Sequence, residues 1–93
     1  MKTVLRYRLP QALGEHEIEL PFGAQPLSVQ MQDGRPYLWA EVDDGNELES
    51  RRIVMSGTGH ALPWDDDTHL EWQHIGTVLD EPHVWHYFIG DPE

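Results

Sequence analysis

The stretch of residues 26–43, PLSVQMQDGRPYLWAEVD, decides the fold class of this chain. Asp33-Gly34 separates two runs of alternating apolar and polar residues, and Asp-Gly in this setting is the strongest short-range signal of a two-residue β-hairpin. The predicted cross-strand pairs are Gln32–Arg35, Gln30–Tyr37, Val29–Leu38, Ser28–Trp39 and Leu27–Ala40. This register gives one apolar face and one mixed face that carries Tyr37 and Trp39. A slip of one residue would invert the two faces, so the pattern specifies the register.

Alternating patterns on both sides of the hairpin predict five more strands. Turn signals rich in glycine, proline and aspartate separate them. The predicted strands outside the hairpin cover residues 3–9, 16–20, 51–57, 70–80 and 84–89. About seven closely spaced strands are typical of an all-β antiparallel sandwich or small barrel. The 93 residues are enough for a single β domain, residues 1–93, with one modest core.

The last two strands carry a specific pairing prediction, because Glu81-Pro82 reads as the turn between them. Gly76 predicts a break or bulge in the first of the two. Two polar loops, residues 43–50 and 61–69, can each hold one short helical turn, at residues 46–50 or at an aspartate of the second loop. The predicted pairs of the last two strands are Leu79–Val84, Thr77–His86 and Ile75–Phe88.

The charge balance is the most distinctive bulk property. The chain has 6 Lys plus Arg against 17 Asp plus Glu, a formal net charge of −11. Direct binding to nucleic acid is disfavoured, because phosphate recognition needs clustered cations. The surplus carboxylates either keep a small protein soluble or steer it toward a partner with a basic surface. Lys2, Arg6 and Arg8 lie together on the first predicted strand, so the positive charge is concentrated at one edge.

The composition also excludes several classes of protein. The chain has no cysteine, which excludes disulfides, thiolate metal sites and a cysteine nucleophile. No apolar run approaches the roughly 18 residues of a membrane span, and the first residues lack the apolar segment of a secretory signal. We therefore expect a cytoplasmic protein without membrane contact.

Six histidines and the run Asp65-Asp66-Asp67 raise the question of a metal site. His83 and His86 are three residues apart, which on a strand places them on opposite faces. The aspartate run lacks the alternating ligands and bend glycine of a calcium loop. We predict no metal site and no cofactor. No catalytic motif can be recognised from spacing either, so we predict that the chain is not an enzyme.

The SGTGH segment at the end of the fifth strand is the candidate for contact with a small ligand. Its glycines allow backbone N–H groups to hold an anion, with hydroxyls beside them and two arginines nearby in the sequence. The alternative is a structural turn at the strand end, since neither a Walker loop nor a dinucleotide fingerprint is present. The candidate ligand-binding residues are Arg51, Arg52, Ser56, Thr58, Gly59 and His60.

Four aromatic residues are the candidates for protein binding: Tyr37 and Trp39 on the mixed face of the hairpin, and Trp85 and Tyr87 on one side of the last strand. Exposed tyrosine and tryptophan side chains usually anchor interfaces. The alternative is that these side chains cover the ends of the core.

The order of several motifs resembles a group of small uncharacterised proteins of tailed phages and prophages. The similarity extends from about Lys2 to Phe88, and its most specific pieces are GTGH at residues 57–60, LWA at 38–40 and VWH at 84–86. The insert PWDDDTHLEWQ and the tail after Phe88 depart from the pattern. That family has no established activity, and the resemblance implies an accessory factor that binds host machinery, including defence systems.

These observations favour a non-enzymatic phage accessory protein that binds a host protein in an infected or lysogenic bacterium, for instance as an anti-defence inhibitor. A homo-oligomeric sponge that sequesters a small anionic signalling nucleotide is the first alternative. A virion-associated structural β module is the second.

Overall fold

The computed structural model describes residues 1–65, 67 and 71–91, and these form seven strands and no α-helix. The strands are β1 Lys2–Arg8, β2 Gly14–Pro21, β3 Gln25–Gln32, β4 Arg35–Asp43, β5 Leu48–Gly57, β6 Trp72–Asp80 and β7 His83–Gly90. The predicted all-β class and strand number are confirmed.

Two antiparallel sheets make up the fold. The three-stranded sheet has the order β1-β4-β3 and the four-stranded sheet the order β2-β5-β7-β6. Between the sheets, β3 and β6 are the strands that contact each other extensively. The sandwich is therefore closed along its β3–β6 side, and the edge strands β1 and β2 lie on the opposite side.

The central hairpin has the predicted turn and almost all of the predicted register. Asp33 and Gly34 have φ values of 52° and 76°, the positive pair that a two-residue hairpin turn needs. The predicted pairs from Gln32–Arg35 to Ser28–Trp39 are confirmed, but the pair Leu27–Ala40 is wrong, because the register shifts between Pro26 and Ser28. Proline has no N–H to give to the ladder and commonly occupies bulges. Leu27 is the residue displaced, and it is 54% exposed.

A second bulge modifies the pairing of β6 with β7. Leu79–Val84 and Thr77–His86 pair as predicted, whereas Phe88 pairs with His74 instead of Ile75. The register shifts between His74 and Gly76, at the predicted break in the strand. The extra residue, Ile75, turns toward the core and packs against it.

The polar loops carry fewer helical residues than predicted. The helical turn expected at residues 46–50 is wrong, because β5 already begins at Leu48, which pairs with Pro21 of β2. For the second loop, residues 66, 68 and 69 lie outside the described residues, as does Leu70, the predicted start of the sixth strand.

The core lies between the two sheets and contains inward-facing side chains of both central and edge strands. Tyr87 is the largest side chain that is fully buried. Its hydroxyl donates a hydrogen bond of 2.8 Å to the carbonyl of Pro10, in the connection between β1 and β2. Burial, with a smaller contribution from the negative charge of Asp80, raises the pKa of Tyr87 to about 12. The main core residues are Leu20, Val29, Leu38, Ala40, Val42, Ile53, Met55, Tyr87 and Ile89.

The closed side of the sandwich depends on the absence of a side chain at residue 76. A Cβ built on Gly76 would lie 2.6 Å from Val29 Cβ, a distance that forces the sheets apart. We expect Gly76→Ala to lower the free energy of unfolding by about 1–3 kcal/mol, measured by urea denaturation, as overpacked cores do. In a Val29→Gly background, which removes that Cβ, the same change should cost clearly less. Equal costs in both backgrounds would contradict the contact.

Gly45→Ala is the matched control for this variant. A Cβ there would meet only Asp43 Oδ1, at an ordinary 3.5 Å, so the stability should stay within about 0.5 kcal/mol of the parent.

The raised pKa of Tyr87 predicts a loss of stability at alkaline pH. The neutral phenol is favoured in the folded state, so its contribution is complete below the unfolded pKa of about 10 and falls as the pH rises toward 12. Between pH 9 and 11.5 this group should remove about 2 kcal/mol from the parent and nothing from Tyr87→Phe. Urea denaturation of both proteins at the two pH values measures the difference. An unchanged gap between them would contradict the prediction.

Candidate functional site

The outward side of the three-stranded sheet carries a cluster of cations and aromatic rings at its hairpin end. Strand pairing places Arg6 beside Trp39 and Arg8 beside Tyr37, while Arg35 faces Gln32 across the hairpin turn. Because alternate residues of a strand share a face, all of these side chains lie on the outer side of the sheet. We call this surface the arginine–aromatic face; its members are Arg6, Arg8, Ser28, Gln30, Gln32, Arg35, Tyr37 and Trp39.

The two rings of this face are held in one arrangement. The centroids of Tyr37 and Trp39 are 6.0 Å apart with an interplanar angle of 68°, the edge-to-face geometry that aromatic pairs favour. The guanidinium of Arg6 lies 4.4 Å from the centroid of the Tyr37 ring and also donates a hydrogen bond to Gln32 Oε1. Both rings are half-buried, so one side of the pair remains open to solvent.

Cations and carboxylates concentrate at different edges of the two sheets. The outward residues of β1 include Lys2, Arg6 and Arg8, as the sequence predicted. The outward residues of β2, at the edge of the other sheet, include Glu15, Glu17 and Glu19. The hairpin end of the arginine–aromatic face is therefore basic, while Glu41, the next outward residue of β4 after Trp39, places a carboxylate on the other side of the aromatic pair.

The four predicted protein-binding residues do not form one patch. Tyr87 is fully buried in the core, so its predicted role in binding a partner is wrong. Its side chain lies on the inward side of β7. The sequence pattern did not indicate that the other sheet covers this side. Trp85 is half-buried at the end of the sandwich, with its ring 4.9 Å from that of His83 and its indole N–H 3.4 Å from Asp80 Oδ2. Only Tyr37 and Trp39 share a surface.

The predicted ligand-binding residues are also divided. A groove of about 220 Å³ follows the end of β5, and Ser56, Thr58, Gly59 and His60 line it. Gly57 of the SGTGH segment also lines it. His86, Phe88 and Leu62 complete its walls, and sequence reasoning did not include these three residues. His86 pairs with Thr77 of β6 on one side and with Ser56 of β5 on the other. The sequence predicted the first pair, and the second would have placed His86 beside the SGTGH segment.

Neither arginine reaches this groove, and the prediction that Arg51 contributes to an anion site is wrong. Arg51 is buried between the sheets, where its Nε and Nη2 donate to the carbonyl of Gly90 at 3.2 and 3.1 Å. Arg52 points outward but stands four residues from Ser56, about 13 Å along the strand. Its guanidinium lies 4.7 Å from the centroid of the Trp72 ring and 3.8 Å from Glu15 Oε1.

Beside the groove, threonine and histidine side chains form a hydrogen-bonded row that sequence reasoning missed. His86 Nε2 shares a hydrogen bond of 2.7 Å with Thr58 Oγ1, and His86 Nδ1 shares one of 2.9 Å with Thr77 Oγ1. Thr77 Oγ1 also contacts His74 Nε2 at 2.9 Å. Both nitrogens of His86 are thus engaged, which fixes its ring as a wall of the groove.

Trp64 covers the outer side of the four-stranded sheet and was also missed. Its ring stacks on Trp72 at 5.1 Å and meets Phe88 edge-on at 4.9 Å. Val54, an outward residue of β5, is buried. The outer side of this sheet is therefore partly closed, in contrast to the arginine–aromatic face.

Among the described residues, no group of three or more histidine, aspartate or glutamate side chains is arranged to hold a metal ion. Two residues weighed for this role in the sequence, Asp66 and His69, lie outside the described residues. The described part of the chain has no helix of the length and apolarity needed to cross a membrane.

Comparison with known proteins places this fold in a family. Residues 1–93 match the model of a domain of unknown function, DUF7352. A D-alanine--D-alanine ligase of Rhizorhabdus wittichii is 31% identical over 78 residues, which cover 80% of this chain and 25% of the ligase. The chain thus spans about a quarter of the length of that relative. No solved structure matches the chain. Because the family match extends over residues 1–93, the chain belongs to the DUF7352 family.

Proposed function

We propose that this chain is a non-enzymatic protein-binding module and that it docks through the arginine–aromatic face. The observation that carries the proposal is the Tyr37–Trp39 pair, ordered by Arg6 on an otherwise open sheet surface. Tyrosine, tryptophan and arginine are the residue types that contribute most to binding energy at protein interfaces.

The order of the face favours binding. Immobilising a side chain with many rotamers costs about 0.5–1.5 kcal/mol on association. The contacts of Arg6 with Tyr37 and Gln32 already restrict its side chain in the free protein. Rings on a central strand of a sheet also move less than rings on a loop.

The charges around the pair select the chemistry of the partner. Arg6, Arg8 and Arg35 favour carboxylates on the surface that meets them. The net charge alone led us to expect a partner with a basic surface. A basic region of the same partner could still be attracted by the glutamates of β2, outside the docking face. Following the resemblance to phage proteins, we place the partner among the proteins of a bacterial host.

Loss of the tryptophan ring should abolish partner capture. We expect Trp39→Thr to reduce partner retention at least tenfold, because a central anchor residue contributes about 2 kcal/mol to binding. Threonine is chosen because it favours the strand conformation. The measurement is affinity capture from a bacterial host lysate, quantified by mass spectrometry.

Phe22→Thr is the matched control, since Phe22 is a 65% exposed aromatic residue in the turn between β2 and β3. This variant should retain the partner. Equal retention by the parent and Trp39→Thr, with both proteins folded by circular dichroism, would exclude the arginine–aromatic face as the docking surface.

The groove after β5 favours a second candidate function, the binding of a small anionic ligand such as a signalling nucleotide. Thr58 and His60 line the groove with their side chains, while their backbone N–H groups donate to the carbonyls of Val84 and Gly57. No arginine lies in the groove, so anion binding there depends on the side chains of Thr58 and His60.

This second candidate predicts a thermal shift on ligand addition. Cyclic nucleotides at millimolar concentration should raise the melting temperature of the parent, and His60→Ala should remove the effect. His83→Ala is the control, because His83 lies outside this groove. A shift of the same size in the parent and His60→Ala, or no shift in the parent, would contradict the candidate.

A further inference from the structure

Among residues 1–65, 67 and 71–91, two strand edges on one side of the sandwich have no neighbouring strand. β1 ends the three-stranded sheet and β2 ends the four-stranded sheet. The other two edge strands, β3 and β6, contact each other on the closed side. A free strand edge presents a row of backbone donors and acceptors that can pair with another strand.

The two free edges form a step. Counted from the closed β3–β6 side, one sheet has three strands and the other has four. The edge strand β2 therefore projects about one strand spacing, roughly 4.8 Å, beyond β1. The recess beside β1 has the width of one strand.

Apolar side chains are left partly uncovered at this step. Leu5 pairs with Ala40, which is fully buried, yet Leu5 itself is 41% exposed. Ile18 of β2 packs against the core and is only half-buried. Both side chains face the interior of the sandwich, so what they lack is a neighbouring strand on the open side.

The charges of the two edges are complementary. The outward residues of β1 include Lys2, Arg6 and Arg8, and those of β2 include Glu15, Glu17 and Glu19, beside which Arg52 of β5 lies. Pairing of β1 with a second β1, or of β2 with a second β2, would set like charges opposite each other, which destabilises a sheet. Pairing of β1 with β2 sets opposite charges together.

We propose that two copies of this chain form a symmetric dimer in which β1 of each copy pairs with β2 of the other. The two-fold axis runs parallel to the strands, along the open side. This rotation places the projecting β2 of the second copy in the recess beside β1, and repeats the same contact on the other sheet. Each of the two continuous sheets then contains three strands of one copy and four strands of the other. The two-fold symmetry uses both free edges of each copy, so the assembly stops at two chains.

Strand direction and side-chain parity agree with this arrangement. A short connection, residues 9–13, joins β1 to β2, and the two strands run in opposite directions. Rotation about an axis parallel to the strands leaves the direction of each strand unchanged. The new pairs are therefore antiparallel. In registers that overlap most of both strands with the apolar faces inside, Arg6 meets Glu15, Glu17 or Glu19 of the second copy.

The mass in solution tests the proposal first. Sedimentation equilibrium of the parent should give twice the 10.8 kDa of the chain, with a dissociation constant that rises at least tenfold between about 0.05 M and 1 M salt, because the edge charges are exposed. A single-chain mass at every protein concentration would overturn the dimer and leave the edge charges as protection against aggregation.

Charge reversal identifies the surface. Arg6→Glu with Arg8→Glu, and separately Glu17→Lys with Glu19→Lys, should each weaken self-association at least tenfold. An equimolar mixture of the two variants should recover the dimer, because both strand pairs of that heterodimer again join opposite charges. A mixture that stays monomeric, while the parent dimerises, would overturn the β1–β2 assignment.

Two controls separate this inference from the docking proposal. Glu71→Lys with Glu81→Lys changes the net charge equally but lies away from both edges, and it should keep the parent dissociation constant. Trp39→Thr should also remain dimeric, because Trp39 lies on the central strand β4. A Trp39→Thr protein that becomes monomeric would instead place the dimer contact on the arginine–aromatic face.

Discussion

The fold depends on the close approach of β3 to β6, where Val29 occupies the space that a side chain at residue 76 would fill. This contact joins the two sheets along one side only. A bulge lies next to it on each strand, between Pro26 and Ser28 and between His74 and Gly76. Bulges increase local twist and bend the strand, so they bring the two edges together. The opposite side stays open, and the basic and acidic edges of the molecule lie there.

Alternation and turn chemistry predicted the strands and most registers, because both are local properties of the sequence. The bulges were not predictable in the same way. An extra residue at Leu27 or Ile75 keeps the apolar pattern readable while it shifts every pair beyond it. Proline in the strand pattern and glycine at residue 76 mark both places. Whether such a residue causes a bulge, a break or neither depends on the partner strand, which alternation does not specify.

The candidate sites were harder to predict than the fold, for two physical reasons. Arg51 and Arg52 are neighbours in sequence, but successive side chains of a strand point to opposite faces, so the pair could never serve one ligand. Their interpretation as an anion pair relied on closeness in sequence and did not apply the alternation of the strand predicted at residues 51–57. Tyr87 illustrates the second reason: alternation assigns a residue to a face, and only the position of the other sheet decides whether that face is covered.

The distribution of charge, more than its sum, governs what this protein can bind. A net charge of −11 suggests attraction to basic partners, but at physiological ionic strength charges beyond about 8 Å are largely screened. The glutamates of β2 lie in the other sheet, about 10 Å across the core from the sheet that carries Arg6 and Arg8. A group that contacts Trp39 from the hairpin side therefore experiences the nearby guanidinium groups more strongly than the carboxylates of β2, while Glu41 is the carboxylate closest to the ring along β4. The same separation allows an acidic edge and a basic edge to persist on one small domain without neutralising each other.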